Sequence, residues 1–367
     1  MSHLVHFEIN EGSNGKVAQI TLNKPKALNA INIEMIEAVE SYLDIIEKDD
    51  SIKCALLSGA GDKAFCAGGD VVGLYHSMKE TAQGDIPQVA AEFFTKEYSL
   101  DYRLHTFSKP IIAWGDGIVM GGGIGLLGAC SHRIVTENSM LAMPEVTIGL
   151  YPDVAASWFF NRMPANIGLY LGLTGSRLTA HDALFTKLAD FFVLNEFKEE
   201  LLEDLLELNW GNDPHVDVHN AIQAHSSFSY DEKPSSHILD NFDAIQYLFE
   251  FGGLDAIVQN LTQVSPKSQW MEYGQKNFLQ GCPMTYALVY EQIKRAKHLS
   301  LKQVFQMELI VSTRCAMNAD LAEGIRALLI DKDRKPKWSV QSIANIEQSK
   351  LEEYFTSPWQ KHPLEAL

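Results

Sequence analysis

The sequence predicts an α/β fold whose first half alternates strands, helices and glycine turns and whose second half is helical. Short apolar or alternating runs bounded by turn residues recur up to about residue 175, and helical spacing dominates after it. The chain has 367 residues, 46% of them hydrophobic and 21% charged, which is enough to bury a large core.

His3 to Ile9 and Lys16 to Leu22 read as two strands, with Asn14-Gly15 as the hairpin signal between them. Asn32 is placed to cap a helix whose apolar face is Ile33, Ile36, Val39, Leu43 and Ile46. Cys54 to Leu57 is a short buried strand, followed by the turn from Ser58 to Lys63 and by Ala64-Phe65-Cys66-Ala67-Gly68-Gly69-Asp70. A helix is expected from about Pro87 to Thr106, then a strand from Ile111 to Trp114 and a turn at Gly115-Asp116-Gly117. Gly121-Gly122-Gly123 opens a short helix of small residues, and Arg133 to Thr136 and Met140 to Met143 are further strands. Thr179-Ala180-His181-Asp182 resembles a capping box with Asp in the usual Glu position. Residues 211–241, rich in Asp, His, Ser and Pro, are aperiodic and expected to form a long loop. Residues 283–350 read as a helical C-terminal layer that runs into the polar stretch from Asp331 to Lys337.

Bulk properties exclude several classes of function. The net charge of −17 lacks the basic face of a nucleic-acid binder. No apolar run reaches the roughly 18 residues that a membrane span needs. The N-terminal stretch has neither a basic, apolar leader nor an Arg/Ser-rich bias, so a mature chain in the cytoplasm is expected. Five cysteines without a metal or redox spacing read as reduced, mostly buried thiols, and the twelve histidines do not cluster, so no metal is expected.

The two glycine turns carry the chemistry. Ala67-Gly68-Gly69-Asp70 and Gly121-Gly122-Gly123 each follow a strand and precede a helix. Free N–H groups at a helix start are partly positive, and glycine lets a ligand approach the backbone. Side by side, two such turns can offer two N–H donors to one oxygen, which is an oxyanion hole. The plainer reading is tight turns and close helix packing. Gly123 to Gly128 also spells GxGxxG with Glu145 downstream, but the strand is expected to end near Trp114, too early for a dinucleotide motif.

Three carboxylates lie in informative places. Glu145 follows Pro144 at the end of an apolar strand, where desolvation would raise its pKa and suit a base; otherwise it is a surface acid beside a turn. Asp153 leads into Trp158-Phe159-Phe160 as either an N-cap or a substrate ligand. Glu97 shares a helix face with Phe93, Leu100 and Leu104, so it must be paired, Arg103 being a candidate, or line a cavity. No GxSxG elbow is present, which argues against a serine thioesterase of the α/β-hydrolase type.

In order and spacing, Asn23 to Asn29, Ala64 to Asp70, Gly121 to Gly125 and Met143 to Leu150 resemble the crotonase (enoyl-CoA hydratase/isomerase) superfamily over roughly residues 5–190. Phe93 to Tyr98, Met143 to Val154 and Glu323 to Trp338 resemble its 3-hydroxyisobutyryl-CoA hydrolase branch, over nearly the whole chain. The resemblance implies a crotonase-like spiral of repeated ββα units over residues 1–190 and a helical C-terminal region, residues 191–367, packed on it. It implies that the N–H groups of Gly69 and Gly122 form the oxyanion hole, that Glu97, Gly122, Glu145 and Asp153 contact the acyl part, and that Glu145 is either the general base for water or the nucleophile on the thioester. It puts Lys24 and Lys26 near the CoA phosphates and the backbone of Cys66, Ala67 and Gly68 near the adenine.

Gly125 stands where similar hydratases carry a second Glu, which disfavours hydration, and Val154-Ala155-Ala156-Ser157 replaces several glycines of the hydrolase pattern. The expected activity is therefore hydrolysis of an acyl-CoA, with CoA as part of the substrate and no separate cofactor, in valine breakdown. An enoyl-CoA hydratase or isomerase and a non-catalytic CoA-binding interaction protein are the alternatives. The family often forms trimers, and the C-terminal layer could cover that surface, so a homo-oligomer is left open.

Overall fold

A computed structural model describes residues 2–367. The chain divides into two compact units. The first takes the chain up to Gly69, Leu100–Leu141 and Leu178–Ser236; the second takes Asp70–Ser99, Ala142–Arg177 and His237–Leu367.

The first unit is built on strands β1 (Val5–Glu11), β2 (Lys16–Leu22), β3 (Ile52–Gly59), β4 (Ala64–Cys66), β5 (Ile111–Gly115), β6 (Ile118–Met120), β7 (His132–Val135), β8 (Met140–Ala142) and β9 (Phe191–Phe192). Six form one sheet in the order β1-β2-β3-β5-β7-β9, and β4-β6-β8 form a second. β1 and β2 are an antiparallel hairpin in register from Val5–Leu22 to Glu11–Lys16, as Asn14-Gly15 suggests. The other pairs of the large sheet are parallel, which requires crossover segments. The first crossover is the helix Ile33–Lys48, where the Asn32 side chain accepts the Met35 N–H at 3.0 Å.

Alternate residues of the parallel strands (Val17, Cys54, Leu56, Ile112, Trp114, Ile134) pack with Leu201, Leu205, Val218 and Ile222 in one apolar cluster. Val218 and Ile222 correct the expected loop at 211–241: Pro214–Ser229 is a helix, and further helical segments follow at His237–Asp240 and Tyr230–Glu232. Asp213 caps the long helix by accepting the His215 N–H, with Pro214 in its first turn. Its polar composition hid it, because a one-sided helix needs only a narrow apolar stripe. The box at Thr179 forms as expected, with Asp182 Oδ2 accepting the Thr179 N–H at 2.9 Å.

In the second unit, the helices Pro283–Ala296 and Leu301–Met317 carry long buried faces, and Ser300 and Gln303 form a capping box at the start of the latter. The helical layer does not run unbroken to residue 350. Lys332 and Arg334 adopt left-handed φ of 57° and 54°, and Arg326 draws Glu323, Asp331 and Asp333 around its guanidinium at 2.6–2.9 Å. Pro336, which has no N–H to donate, favours this loop over helix. Among the described residues, no helix is long and apolar enough to cross a membrane.

Candidate active site

The first unit brings the two glycine turns together. β4 and β6 are parallel neighbours, so the turns that leave them emerge side by side. Gly68 has φ +103°, and a Cβ built there would lie 3.3 Å from Met120 O and 3.8 Å from the Gly122 nitrogen. A side chain would therefore fill the space between the two backbones. Gly121 precedes the helix Gly122–Ala129 with φ +51°, and the first in-helix donors to its carbonyl are Ile124 and Gly125. The Gly122 N–H thus belongs to the helix's unpaired first turn, where the dipole favours negative charge.

Packing accounts for the first glycine of the GxGxxG stretch but not the last. A Cβ at Gly123 would sit 2.1 Å from Cys66 O, and one at Gly128 would meet nothing within 4 Å. The strand before this motif ends at Met120, not near Trp114, so distance from a strand does not exclude a dinucleotide. The contact between Gly123 and Cys66 explains that glycine without one.

The loop with Lys24 and Lys26 is pinned to the same turns. Asn29 is fully buried, accepts the Lys24 N–H at 2.9 Å, and donates to Ala60 O and Ala64 O at 3.0 and 2.8 Å. Leu28 O accepts the Ala67 N–H at 3.0 Å. A cavity of about 260 Å³ opens there, lined by Lys26, Lys63, Asp62, Asn29 and their neighbours. Lys63 and Asn29 were not singled out from the sequence; an Asn closing the first loop motif and a cation immediately before the second are the signals that point to them. Cys66 is a buried cysteine beside this turn, with its Sγ 3.6 Å from Gly68 O.

The second unit gathers the carboxylates. Glu145 opens a short 3₁₀ turn after β8 and is only 5% exposed, and its Oε2 has no hydrogen-bond partner among the described residues. Burial, and next the nearby Asp153 charge, push its pKa well above the ordinary carboxylate range. Asp153 is 4% exposed and is not an N-cap: Ala155 holds that position, and the Asp153 side chain accepts the Tyr98 hydroxyl at 2.5 Å. Burial raises its pKa to about 6, against the Tyr98 hydrogen bond that lowers it. Glu97 is buried beside Tyr98, as its apolar stripe required. The guanidinium of Arg103 is taken up by Glu40, Asp44 and Glu47 of the first unit.

Four residues of this cluster escaped the sequence reading. Tyr98 also bonds Ser312 Oγ at 2.6 Å, Tyr151 bonds Ser312 Oγ at 2.9 Å and donates to Glu308 O at 2.7 Å, and Glu308 is fully buried. Glu308 carries the same signal as Glu97: it lies three or four residues from Val304, Phe305 and Val311 on a helix.

Two buried carboxyl groups with raised pKa values and one unpaired oxygen suit acid–base chemistry near neutrality. Paired N–H donors in glycine turns suit a developing oxyanion. No group of three or more His, Cys, Asp or Glu among the described residues is placed to hold a metal.

A family model described as enoyl-CoA hydratase/isomerase matches residues 17–355. The chain is 36% identical over 345 residues to a protein named 3-hydroxyisobutyryl-CoA hydrolase, mitochondrial, of Danio rerio, covering 94% of this chain and 88% of that one. It is 33% identical over 344 residues to the Homo sapiens protein of the same name, covering 94% and 87%. Among solved structures, it matches a carnitinyl-CoA dehydratase from Mycobacterium thermoresistibile with a TM-score of 0.86 and 30% identity, over all of both chains.

Proposed function

Because the chain belongs to the enoyl-CoA hydratase/isomerase family, we propose that it hydrolyses an acyl-CoA thioester, 3-hydroxyisobutyryl-CoA, to 3-hydroxyisobutyrate and free CoA, a step of valine breakdown. The observation that carries the reading is Glu145, a buried carboxylate with an unpartnered oxygen and Asp153 beside it. Glu145 acts on the thioester carbonyl, either activating water or attacking directly. Asp153 binds the 3-hydroxyl, and Glu97 borders the acyl group. The N–H groups of Gly69 and Gly122 stabilise the oxyanion as the C–S bond breaks and the thiolate leaves. Lys24 and Lys26 meet the CoA phosphates, and the backbone of Cys66, Ala67 and Gly68 meets the adenine. The chemistry needs water and no separate cofactor.

The names of the Danio rerio and Homo sapiens relatives support this substrate. The likeness to a carnitinyl-CoA dehydratase favours a second reading, removal or addition of water across a double bond. Gly125 supplies no carboxylate for it, and Gly125 is buried in the helix start. Free-thiol release from a panel of acyl-CoA esters, followed beside enoyl absorbance, tests the proposal: thiol release supports hydrolysis, and absorbance change without thiol release supports the dehydratase. CoA binding with neither signal supports a non-catalytic CoA-binding protein. We take the cytoplasm as the compartment to test, although the relatives' names read mitochondrial.

A further inference from the structure

Val154 and Ala155 follow Asp153 with φ of +48° and +69°. Two consecutive left-handed residues, neither of them glycine and one β-branched, form a costly arrangement that persists only where surrounding contacts over-determine it. Those contacts come from two helices of the same unit. Glu308 Oε2 accepts the Ala155 N–H at 2.7 Å and Oε1 accepts the Ser157 N–H at 3.0 Å, so one carboxyl group spans the turn. The N–H between them, that of Ala156, turns back to Asp153 O at 2.8 Å. Upstream, Gln292 donates to Pro152 O at 3.0 Å and Thr285 to Leu150 O at 2.8 Å.

The same helix holds the Asp153 side chain. Ser312, one turn after Glu308, bonds Tyr98, and Tyr98 donates to Asp153 Oδ2. Asp153 is thus fixed through its side chain by Tyr98 and through its backbone by the turn that Glu308 grips.

We propose that Glu308 is a positioning residue for Asp153: its carboxyl group holds residues 153–157 in the conformation that presents the Asp153 carboxyl to the substrate's 3-hydroxyl. This rests on the hydrolase reading above. It also accounts for a chain that keeps Val and Ala where its resemblance leads one to expect glycines. The carboxyl group supplies the restraint that lets side-chain-bearing residues occupy a left-handed turn.

The experiment compares kcat and KM for 3-hydroxyisobutyryl-CoA and for isobutyryl-CoA, which lacks the hydroxyl, in the wild-type chain, Glu308→Gln, Asp153→Asn and the double variant. Glu308→Gln turns one acceptor oxygen into an amide that faces an N–H, so the turn shifts. The expected result is a fall of about tenfold or more in the preference for the hydroxylated substrate, the scale of one hydrogen bond to a charged group, with the isobutyryl-CoA rate moving by less than about threefold. The double variant should be no less selective than Asp153→Asn alone, because both changes remove the same contact. Adding Ala155→Gly to Glu308→Gln should restore part of the preference, since glycine takes the left-handed turn unaided; it also serves if Glu308→Gln folds poorly. An unchanged preference, with both substrates losing rate alike, overturns the assignment of Glu308. A wild-type chain that releases no thiol from either ester overturns the hydrolase reading instead.

Discussion

The Tyr98 hydroxyl donates to Asp153 Oδ2 at 2.5 Å inside a fully buried network. A hydrogen bond to a carboxylate favours its charged form, so Tyr98 opposes the burial that lifts the Asp153 pKa to about 6. Tyr98→Phe removes that donor. Asp153 should then titrate higher and stay uncharged to higher pH. Because its charge is one cause of the raised Glu145 pKa, the rise of kcat/KM with pH should move to lower pH; stability near pH 7 should fall by about 1–3 kcal/mol. A pH–rate profile and urea unfolding check the two parts.

Asp153→Asn should move the acid limb the same way. The Asp153 charge is one cause of the raised Glu145 pKa, so its removal lets Glu145 ionise at lower pH. The linkage to stability has a definite sign. The folded pKa of about 6 exceeds the unfolded value, so the group's stabilising contribution is complete below about pH 3.9 and is lost as pH rises through the folded pKa. Wild-type unfolding midpoints should therefore fall from pH 4 to pH 7 more than those of Asp153→Asn. Parallel curves would show that Asp153 is not responsible.

Glu145→Gln keeps the shape of a buried side chain and removes its basicity. Thiol release should fall by about 10²–10⁴-fold, the usual contribution of a positioned base, with CoA affinity nearly unchanged. Retained turnover would remove Glu145 from the mechanism.

Gly122→Pro deletes one N–H at the first position of the Gly122–Ala129 helix, where proline is accepted because that N–H has no helical partner. A fall of about 10²–10³-fold in kcat, with an unaltered circular-dichroism spectrum, is the outcome for an oxyanion donor. A rate within a few-fold of wild type, about threefold at most, would place the donor elsewhere.

Gly123→Ala tests packing rather than chemistry. Its Cβ would lie 2.1 Å from Cys66 O, so the helix must shift away from β4. The expected loss is about 1–3 kcal/mol by thermal or urea unfolding, as for other overpacked sites.

Much of this molecule is legible in the sequence because local chemistry dictates it. Asn32 caps its helix, Asn14-Gly15 turns its hairpin, and Thr179 and Asp182 cap each other, each through a bond within a few residues. The site is legible in pieces for the same reason: glycines mark the turns, and Glu97 and Asp153 stand out against apolar neighbours. What escaped is set by distant partners. The Pro214–Ser229 helix shows few apolar residues, and its stripe becomes visible only against Val17, Leu56 and Trp114 of the sheet. Glu308 is over 150 residues from the Ala155 and Ser157 N–H groups that it accepts. No window of sequence contains both ends of such a bond.

The Asn29 clamp has a thermodynamic consequence. Lys24 sits on a loop whose shape is fixed by three hydrogen bonds from one buried side chain before any ligand arrives. Association then leaves little loop freedom to lose, so a nucleotide tail can bind with a small ordering entropy. In calorimetry, Asn29→Ala should weaken CoA binding mainly through −TΔS, whereas Lys24→Ala should weaken it mainly through enthalpy and salt dependence. Geometry set in the empty protein, as much as charge, would then let an acidic chain of net charge −17 receive a polyanion.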